Sequence, residues 1–202
     1  MPQAVRPGKL FIISACSGAG KTTISQALLK DFGSILNLKR VITTTSRTPR
    51  FTEENGVDYN FVSAHEFRDK MNKGFFLETT EYAGNYYGSP ASILEDLKHG
   101  KSYVMVTDRP GALVIKKLVP SVVLIWLSVP DLQTLRQRLE ARGTDSPEVI
   151  AKRLALAEQE MNQEEYEQVF DYHVPNKIFG ITVEQVKNII KQEQTRIPII
   201  SS

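Results

Sequence analysis

Apolar and polar positions follow two patterns that alternate along the chain. Some short runs have no polar face, which predicts strands buried inside a parallel sheet. These runs lie at 9–14, 102–108 and 121–129. Other segments carry apolar residues three or four positions apart, as at Leu132, Leu135 and Leu139, which predicts helices. Since strands alternate with helices, we predict an α/β fold with a parallel sheet that has helices on both faces.

Further elements follow from local signals. A helix is expected from about Gly20 to Phe32, and a β-branched run predicts a strand near 39–45. Ser146 followed by Pro147 predicts the start of a helix. On that helix, Glu164 and Glu165 are expected on a solvated outer face. The pair Thr182 and Gln185 reads as a capping box that opens the last helix, after a strand at 172–175.

The segment from about 43 to 90 has a different character. Short strands are predicted near 58–62, 75–82 and 85–88, around a helix at 64–72. We therefore expect a small, mostly β lobe inserted into the α/β core.

Composition narrows the class of protein. The 202 residues are 41% hydrophobic and 24% charged, with a net charge of +2, which is ordinary for a globular protein. That charge gives no reason to expect a nucleic acid or a membrane as partner, and no apolar run is long enough to span a bilayer. Cys16 is the single cysteine, so an intramolecular disulfide is excluded, which fits a reducing cytoplasm. The three histidines are expected to be surface or structural residues.

The most informative motif follows the first predicted strand. The run A-C-S-G-A-G-K-T occupies positions 15–22 and leads into a helix-forming stretch. A strand, a loop of small residues and a helix in this order form a phosphate-binding P-loop, in which backbone N–H groups and the helix N-terminus hold an anion. Lys21 would reach the outer phosphates and Thr22 would hold Mg²⁺. Ala15 replaces the usual first glycine, which is acceptable where φ is below zero.

Two arginine groups point to further phosphate chemistry. Arg47 and Arg50 flank Pro49 near Tyr59 and Tyr87, a combination that suits a second phosphate site and is less well explained as a basic surface loop. A second group, in the C-terminal half, consists of Arg138, Arg142 and Arg153. These could close on a transferring phosphoryl group, or could equally be exposed and paired with Glu140 or Asp145.

Taken in order behind the P-loop, several motifs resemble guanylate kinase over roughly residues 9–190. They are T-T-T-S-R-T-P-R, N-G-V-D-Y-N-F-V-S, F-L-E, G-N-Y-Y-G-S and R-L-E-A-R-G-T-D-S. The resemblance implies the nucleoside monophosphate kinase fold and transfer of the γ-phosphoryl group of ATP to GMP with Mg²⁺. It also implies a core (9–42, 91–131 and 164–193), a GMP-binding lobe (43–90) and a helical lid (132–163).

The resemblance also implies roles for individual residues. The ATP site would comprise Ala15, Cys16, Ser17, Gly18, Ala19, Gly20, Lys21, Thr22, Thr23 and Asn176. The GMP site would comprise Thr43, Arg47, Arg50, Tyr59, Glu78, Tyr87 and Ser89, with Glu78 accepting two hydrogen bonds from guanine. The catalytic cations would be Lys21, Arg47, Arg138, Arg142 and Arg153, and Thr22 and Asp108 would lie beside the metal.

The chain departs from the family pattern at a few positions. Val106 stands where an acid near the guanine is usual, so base recognition would depend more on Glu78. Arg109 and Pro110 are unusual after Asp108 and could reshape that turn. Near the adenine, the family's N-D-D reads N-K-I from Asn176.

Other interpretations remain open at this stage. A guanylate kinase-like module that binds phosphorylated peptides is the main alternative, although such modules typically lose a working P-loop. A kinase for AMP or dTMP is disfavoured by Glu78. The enzyme is expected to be cytoplasmic and a monomer or homodimer. Cys16, beside Lys21 and a helix N-terminus, is either a reactive thiol that ATP protects or a small filler residue.

Overall fold

The structure is a computed structural model that describes residues 6–51, 53–82, 84–143 and 145–196, without the side chains of Tyr82 and Arg142. Its strands are β1 (Leu10–Ser14), β2 (Leu38–Arg40), β3 (Thr44–Thr45), β4 (Asn60–Phe61), β5 (Phe76–Tyr82), β6 (Asn85–Pro90), β7 (Ser102–Val106), β8 (Val123–Ser128) and β9 (Tyr172–Pro175). Its helices are α1 (Lys21–Phe32), α2 (Ala64–Asn72), α3 (Ile93–Lys98), α4 (Arg109–Leu118), α5 (Leu132–Arg142), α6 (Pro147–Glu167) and α7 (Phe179–Thr195).

The larger sheet has five parallel strands in the order β2-β7-β1-β8-β9. All five residues of β1 are buried, as a central strand covered on both faces requires. One core contains Phe11, Ile13 and residues of α1, α5, α6 and α7, and the other contains Leu10, Ile12 and residues of α3 and α4. The two cores lie on opposite faces because successive residues of β1 alternate between them. The predicted α/β fold is therefore confirmed.

The smaller sheet has four strands in the order β4-β3-β6-β5. Strands β3 and β4 are parallel, while the other two pairs are antiparallel. Helix α2 begins with a complete capping box at Ser63 and Glu66 and packs on this sheet through Phe67. The Phe67 ring stacks on Phe76 at 4.6 Å and on Tyr86 at 5.5 Å between centroids. The mostly β segment predicted between 43 and 90 is present.

Two predicted elements differ in the structure. The single strand expected at 39–45 is two strands, because the chain leaves the large sheet after Arg40 and enters the small sheet at Thr44. The last helix begins at Phe179, so Thr182 lies inside it and caps nothing. Its hydroxyl instead donates to the carbonyls of Pro175 and Ile178, both at 3.1 Å.

The prediction of a solvated face at Glu164 is wrong, since its side chain is buried. Arg109 donates to it through Nε at 3.1 Å, the Phe170 backbone N–H donates at 3.2 Å, and His173 Nε2 lies 2.9 Å away. Arg109 also donates to Glu167 at 2.6 Å. These contacts join the C-terminal part of α6 to the start of α4. A carboxylate can be buried there because it is both paired and hydrogen-bonded.

No helix within the described ranges combines the length and the apolar character needed to cross a membrane.

We expect Arg109→Ala to lower the free energy of unfolding by about 3 kcal/mol, because it leaves the buried Glu164 charge without its cation. Arg136→Ala is the matched control, since Arg136 lies 3.8 Å from Glu140 in an exposed pair that should contribute less than about 1 kcal/mol. Urea denaturation of the two variants and the parent would measure the difference. An equal decrease of the free energy of unfolding in both variants would show that the Arg109–Glu164 pair stabilises the fold no more than an exposed pair does.

Candidate active site

One cavity is lined by four separate parts of the chain. They are the P-loop and the start of α1, the small sheet, the end of β7, and α6. The lining residues are Ser17, Gly18, Gly20, Lys21, Thr22, Thr23, Thr43, Arg50, Tyr59, Glu78, Thr80, Tyr87, Gly88, Ser89, Val106, Thr107, Asp108, Arg153 and Glu160. The structure thus brings to a single cavity six of the ten residues predicted for the ATP site and six of the seven predicted for the GMP site.

The P-loop has the backbone that its sequence predicts. Gly18 and Gly20 have φ of 86° and 93°, which side chains other than glycine rarely adopt. Ala15 is buried and is not among the described residues with positive φ, so alanine causes no strain there. Helix α1 begins at Lys21, directly after Gly20, and its N-terminal N–H groups are available to an anion.

Three side chains donate hydrogen bonds to carbonyl groups of the P-loop. Lys21 Nζ donates to the carbonyls of Ala15 at 2.6 Å and Cys16 at 3.2 Å. Asn176 Nδ2 donates to the Ala19 carbonyl at 2.6 Å. Arg138 donates to the same carbonyl at 3.4 Å and to the Asn176 carbonyl at 2.8 Å. Asn176 and Arg138 therefore hold the loop from behind in this structure and do not line the cavity.

The part of the cavity formed by the small sheet contains a buried carboxylate, Glu78. Ser89 Oγ donates to Glu78 Oε1 at 2.7 Å, whereas Glu78 Oε2 is buried without a hydrogen-bond partner. Burial raises the pKa of Glu78 to about 7, against the lowering effect of the Ser89 hydrogen bond, and the negative charge of Asp108 raises it further. Thr43 is nearly buried beside this group, and Val106 lines the same cavity as an apolar surface.

The two arginines of the lobe are held by a glutamate that the sequence analysis missed. Arg47 Nη2 donates to Glu53 Oε1 and Oε2 at 2.8 and 2.9 Å, and the Arg50 backbone N–H donates to Oε2 at 2.8 Å. The Arg47 guanidinium also lies 5.6 Å from the centre of the Tyr59 ring. Arg50 lines the cavity but Arg47 does not, because Glu53 holds its guanidinium. Glu53 follows Arg50 by three residues, a spacing that could have suggested the contact.

The arginines of the C-terminal half have different environments. Arg153 lines the cavity and is also 3.2 Å from Asp145, one of the two acidic partners that the sequence suggested. Arg138 contacts backbone carbonyls, and it is Arg136 that pairs with Glu140. The side chain of Arg142 lies outside the described residues.

The turn after β7 is not disrupted by its unusual residues. Asp108 caps α4 by accepting a hydrogen bond from the Gly111 backbone N–H at 2.8 Å, and Arg109 and Pro110 occupy the first helical positions. Proline is favourable there because that N–H has no helical partner. The Asp108 carboxylate consequently remains at the cavity edge.

Sequence analysis also missed Glu160, Thr80 and Thr107, which line the cavity. For Glu160 a signal was available, because it follows Arg153 by seven residues and so lies on the same face of α6. Thr80 lies two residues after Glu78 on β5, which places the two side chains on one face of the strand.

The prediction of a reactive Cys16 is wrong for this structure, and its role as a small filler residue is the better description. Its side chain is 0% exposed, and burial raises its pKa to about 11 despite the opposing charge of Lys21.

We expect alkylation of Cys16 by N-ethylmaleimide at pH 7.5 to be slow, because the thiolate is scarce so far below the pKa and the sulfur is buried. ATP should change the rate little, and unfolding in urea should make the thiol fully reactive. Mass spectrometry would follow the adduct. Rapid labelling of the folded protein that ATP blocks would contradict the burial of this thiol.

Comparisons with known proteins agree on one family. The family model described as guanylate kinase matches residues 7–193. The chain is 38% identical to a guanylate kinase of Lactobacillus johnsonii, over 95% of this chain and 92% of that protein. It is 40% identical to one of Lactococcus lactis, over 94% and 90% respectively. The crystal structure of guanylate kinase from Anaplasma phagocytophilum aligns with a TM-score of 0.77 at 28% identity, covering 95% of this chain and 88% of that one. The chain therefore belongs to the guanylate kinase family.

Proposed function

We propose that this guanylate kinase, an ATP:GMP phosphotransferase, transfers the γ-phosphoryl group of ATP to GMP inside the cavity described above. One observation carries the assignment. The P-loop, with Lys21 and Thr22, lines the same cavity as Glu78 of the small sheet and Arg50 of the segment between β3 and β4. A donor phosphate on the P-loop and an acceptor nucleotide on the small sheet would then share one enclosed space, as direct transfer requires.

The donor triphosphate would lie on the P-loop and the N-terminus of α1. The backbone N–H groups from Ser17 to Thr23 and the partial charge of the helix favour an anion there. Ala15, Cys16 and Ala19 contribute backbone, and their side chains are buried. Asn176 and Arg138 would act indirectly on ATP by holding the Ala19 carbonyl.

The GMP phosphate would lie near Arg50, Tyr59 and Tyr87, which line the cavity. Arg47 would join them as a further cation, oriented by Glu53. Guanidinium groups bind phosphate with two parallel hydrogen bonds when they are held in place, and Glu53 supplies that restraint here.

Guanine would be read by Glu78, with Ser89 and Thr43 beside it. The N1–H and 2-amino groups of guanine are adjacent donors, and an ionised carboxylate can accept both. The unpartnered Oε2 of Glu78 supports this role, because a buried acceptor without a hydrogen bond is costly until a ligand satisfies it. Adenine would place an acceptor at N1 against the same oxygen, which a buried carboxylate rejects.

Transfer itself would depend on positioned positive charge. The transition state of phosphoryl transfer spreads negative charge over the equatorial oxygens, and fixed cations stabilise it. Lys21 and Arg153 line the cavity and are the main candidates, together with Arg142 of α5, whereas Arg138 would contribute indirectly by holding the Ala19 carbonyl. Because Arg153 belongs to α6, its closure on the substrate would also exclude water.

The residues at the cavity edge fit Mg²⁺. The Thr22 hydroxyl and the Asp108 carboxylate both line the cavity, and they are the oxygen ligands that Mg²⁺ prefers. In the described part of the chain no three acidic, histidine or cysteine side chains cluster as a metal cage. That also suits Mg²⁺, which keeps most of its waters and substrate phosphates as ligands. When bound, the ion would neutralise charge on the donor phosphates.

The chain would consist of a core (9–42, 91–131 and 164–193), a GMP-binding lobe (43–90) and a lid (132–163). The enzyme would be a monomer or a homodimer. The small sheet and the cavity-lining part of α6 support the lobe and the lid. The alternative, a phosphopeptide-binding module, gains no support, since the relatives compared above are named guanylate kinase and the P-loop is intact.

Lys21→Ala should reduce kcat for phosphoryl transfer by more than about a hundredfold, the scale expected on losing one preorganised charge. The control is Lys30→Ala, because Lys30 is exposed on the same helix. A coupled assay of ADP release with GMP would measure both variants, and circular dichroism would check their folding. Near-parental turnover in folded Lys21→Ala would contradict the P-loop assignment.

Glu78→Gln should lower kcat/KM for GMP by roughly ten- to two-hundredfold, as expected for a lost bidentate base contact of about 1–3 kcal/mol. The value of kcat/KM for IMP, which lacks the 2-amino group, should fall by a smaller factor. The exposed Glu81 of the same strand provides the control, Glu81→Gln. Equal losses for GMP and IMP would mean that Glu78 does not read the 2-amino group.

The same variant tests pH dependence. Since the pKa of Glu78 is about 7 in the free protein, its acceptor form increases as the pH rises through 7. The ratio of kcat/KM for GMP between parent and Glu78→Gln should therefore increase from pH 6 to pH 8. Taking the ratio cancels the titration of the GMP phosphate. A constant ratio would contradict an ionised Glu78 as the reader of guanine.

A further inference from the structure

Glu160 is a buried acid that the roles above do not use. It lies on α6, two helical turns after Arg153, and both side chains line the active-site cavity. Its side chain is only 6% exposed, and Oε2 is buried without a hydrogen-bond partner. An acid buried only for structural reasons is normally satisfied, as Glu164 of the same helix is.

Glu160 shares the cavity lining with Ser17 and Lys21, two of the residues that would bind the donor phosphates. Burial raises its pKa most strongly, while the positive charge of Lys21 and a hydrogen bond from the Ser17 backbone lower it. Lys21 and the P-loop backbone are the groups assigned above to the donor triphosphate.

The other charges around Glu160 come from the neighbouring elements. Asp108, at the end of β7, raises its pKa, and Arg109 of α4 lowers it. Arg153 of its own helix shares the cavity. Cations on the P-loop and α4 thus attract a carboxylate that α6 carries into the site.

We propose that Glu160 acts as an internal anion that occupies part of the donor phosphate site, so that an incoming polyphosphate must displace it. The inference rests on the proposed function, in which the P-loop binds the phosphates of ATP. Two anions cannot share Lys21 and one patch of loop without repulsion, so Glu160 lowers the affinity for free polyphosphate. Because α6 carries Glu160, displacement of the carboxylate would also move the helix that carries Arg153.

The test is a comparison of polyphosphate binding to the parent, Glu160→Gln and Glu158→Gln. Glu158 is exposed on the same helix and controls for the overall loss of one negative charge. Isothermal titration calorimetry would give Kd for inorganic tripolyphosphate and for ADP in EDTA, at low and high salt. We expect Glu160→Gln to bind both at least about fivefold more tightly than the parent, because a buried like charge is removed. The Kd values of Glu158→Gln should lie within about twofold of those of the parent, since an exposed charge is screened.

The outcomes separate the inference from the proposed function. If the parent binds neither tripolyphosphate nor ADP, the P-loop assignment fails. If the parent binds but Glu160→Gln binds equally or more weakly, Glu160 does not occupy the phosphate site and the inference is overturned. Weaker binding by Glu160→Gln only in the presence of Mg²⁺ would overturn it as well, because Glu160 would then support the metal.

A second variant covers the possibility that Glu160→Gln folds poorly. Glu160→Asp keeps the charge but withdraws it by one methylene group. It should bind tripolyphosphate more tightly than the parent, but by a smaller factor than Glu160→Gln does. The same affinity as the parent in Glu160→Asp would count against the proposal.

Discussion

The shape of the P-loop is the constraint on which the rest of the site depends. Turning successive backbone N–H groups toward one cavity also turns carbonyl groups away from it, and buried carbonyls need donors. Lys21, Asn176 and Arg138 supply those donors from α1, the end of β9 and α5. The anion site is thus held by three elements that meet only in the folded chain. This explains why two residues that the family resemblance placed at the nucleotide lie behind the loop in this structure.

Carboxylates are used in two distinct ways in this molecule. Glu53 and Glu164 are fully engaged, the first with the lobe arginines and the second with Arg109 and His173. Glu78 and Glu160 each keep one buried oxygen without a partner, and both line the cavity. These two unsatisfied groups therefore lie where a ligand can reach them, and the free-energy cost of burying them is part of what makes the site receptive or resistant to a given anion or base.

The unusual residues after β7 show how a local departure can be compensated. Arg109 would be costly as a buried cation, but Glu164 and Glu167 approach it from α6. Pro110 fits the first turn of α4, where no N–H is required. The result keeps Asp108 at the cavity and joins the C-terminal end of α6 to the start of α4. The part of α6 that carries Arg153 and Glu160 lines the cavity.

The sequence alone determined the class of fold and the chemistry of the donor site. Short apolar runs without a polar face favour buried strands, and the spacing of Gly18, Gly20 and Lys21 after such a run already predicts a phosphate-binding turn. The motif order around Arg47, Glu78 and Ser89 was sufficient to suggest the family. These features are local, so the chain carries them without reference to its tertiary structure.

Only the tertiary structure decided which side chains face the cavity and which charges meet. The break between β2 and β3 arises because Leu38–Arg40 pair with the large sheet and Thr44–Thr45 with the small one, and no local pattern separates the two strands. Glu164 is predicted as exposed from its polar character, yet α6 turns it toward an arginine 55 residues away in the chain. Cys16 is buried although its loop is functional, because the side chains of this loop pack into the core while its backbone serves the ligand. Burial and pairing depend on long-range packing, and a pattern of neighbouring residues does not contain that information.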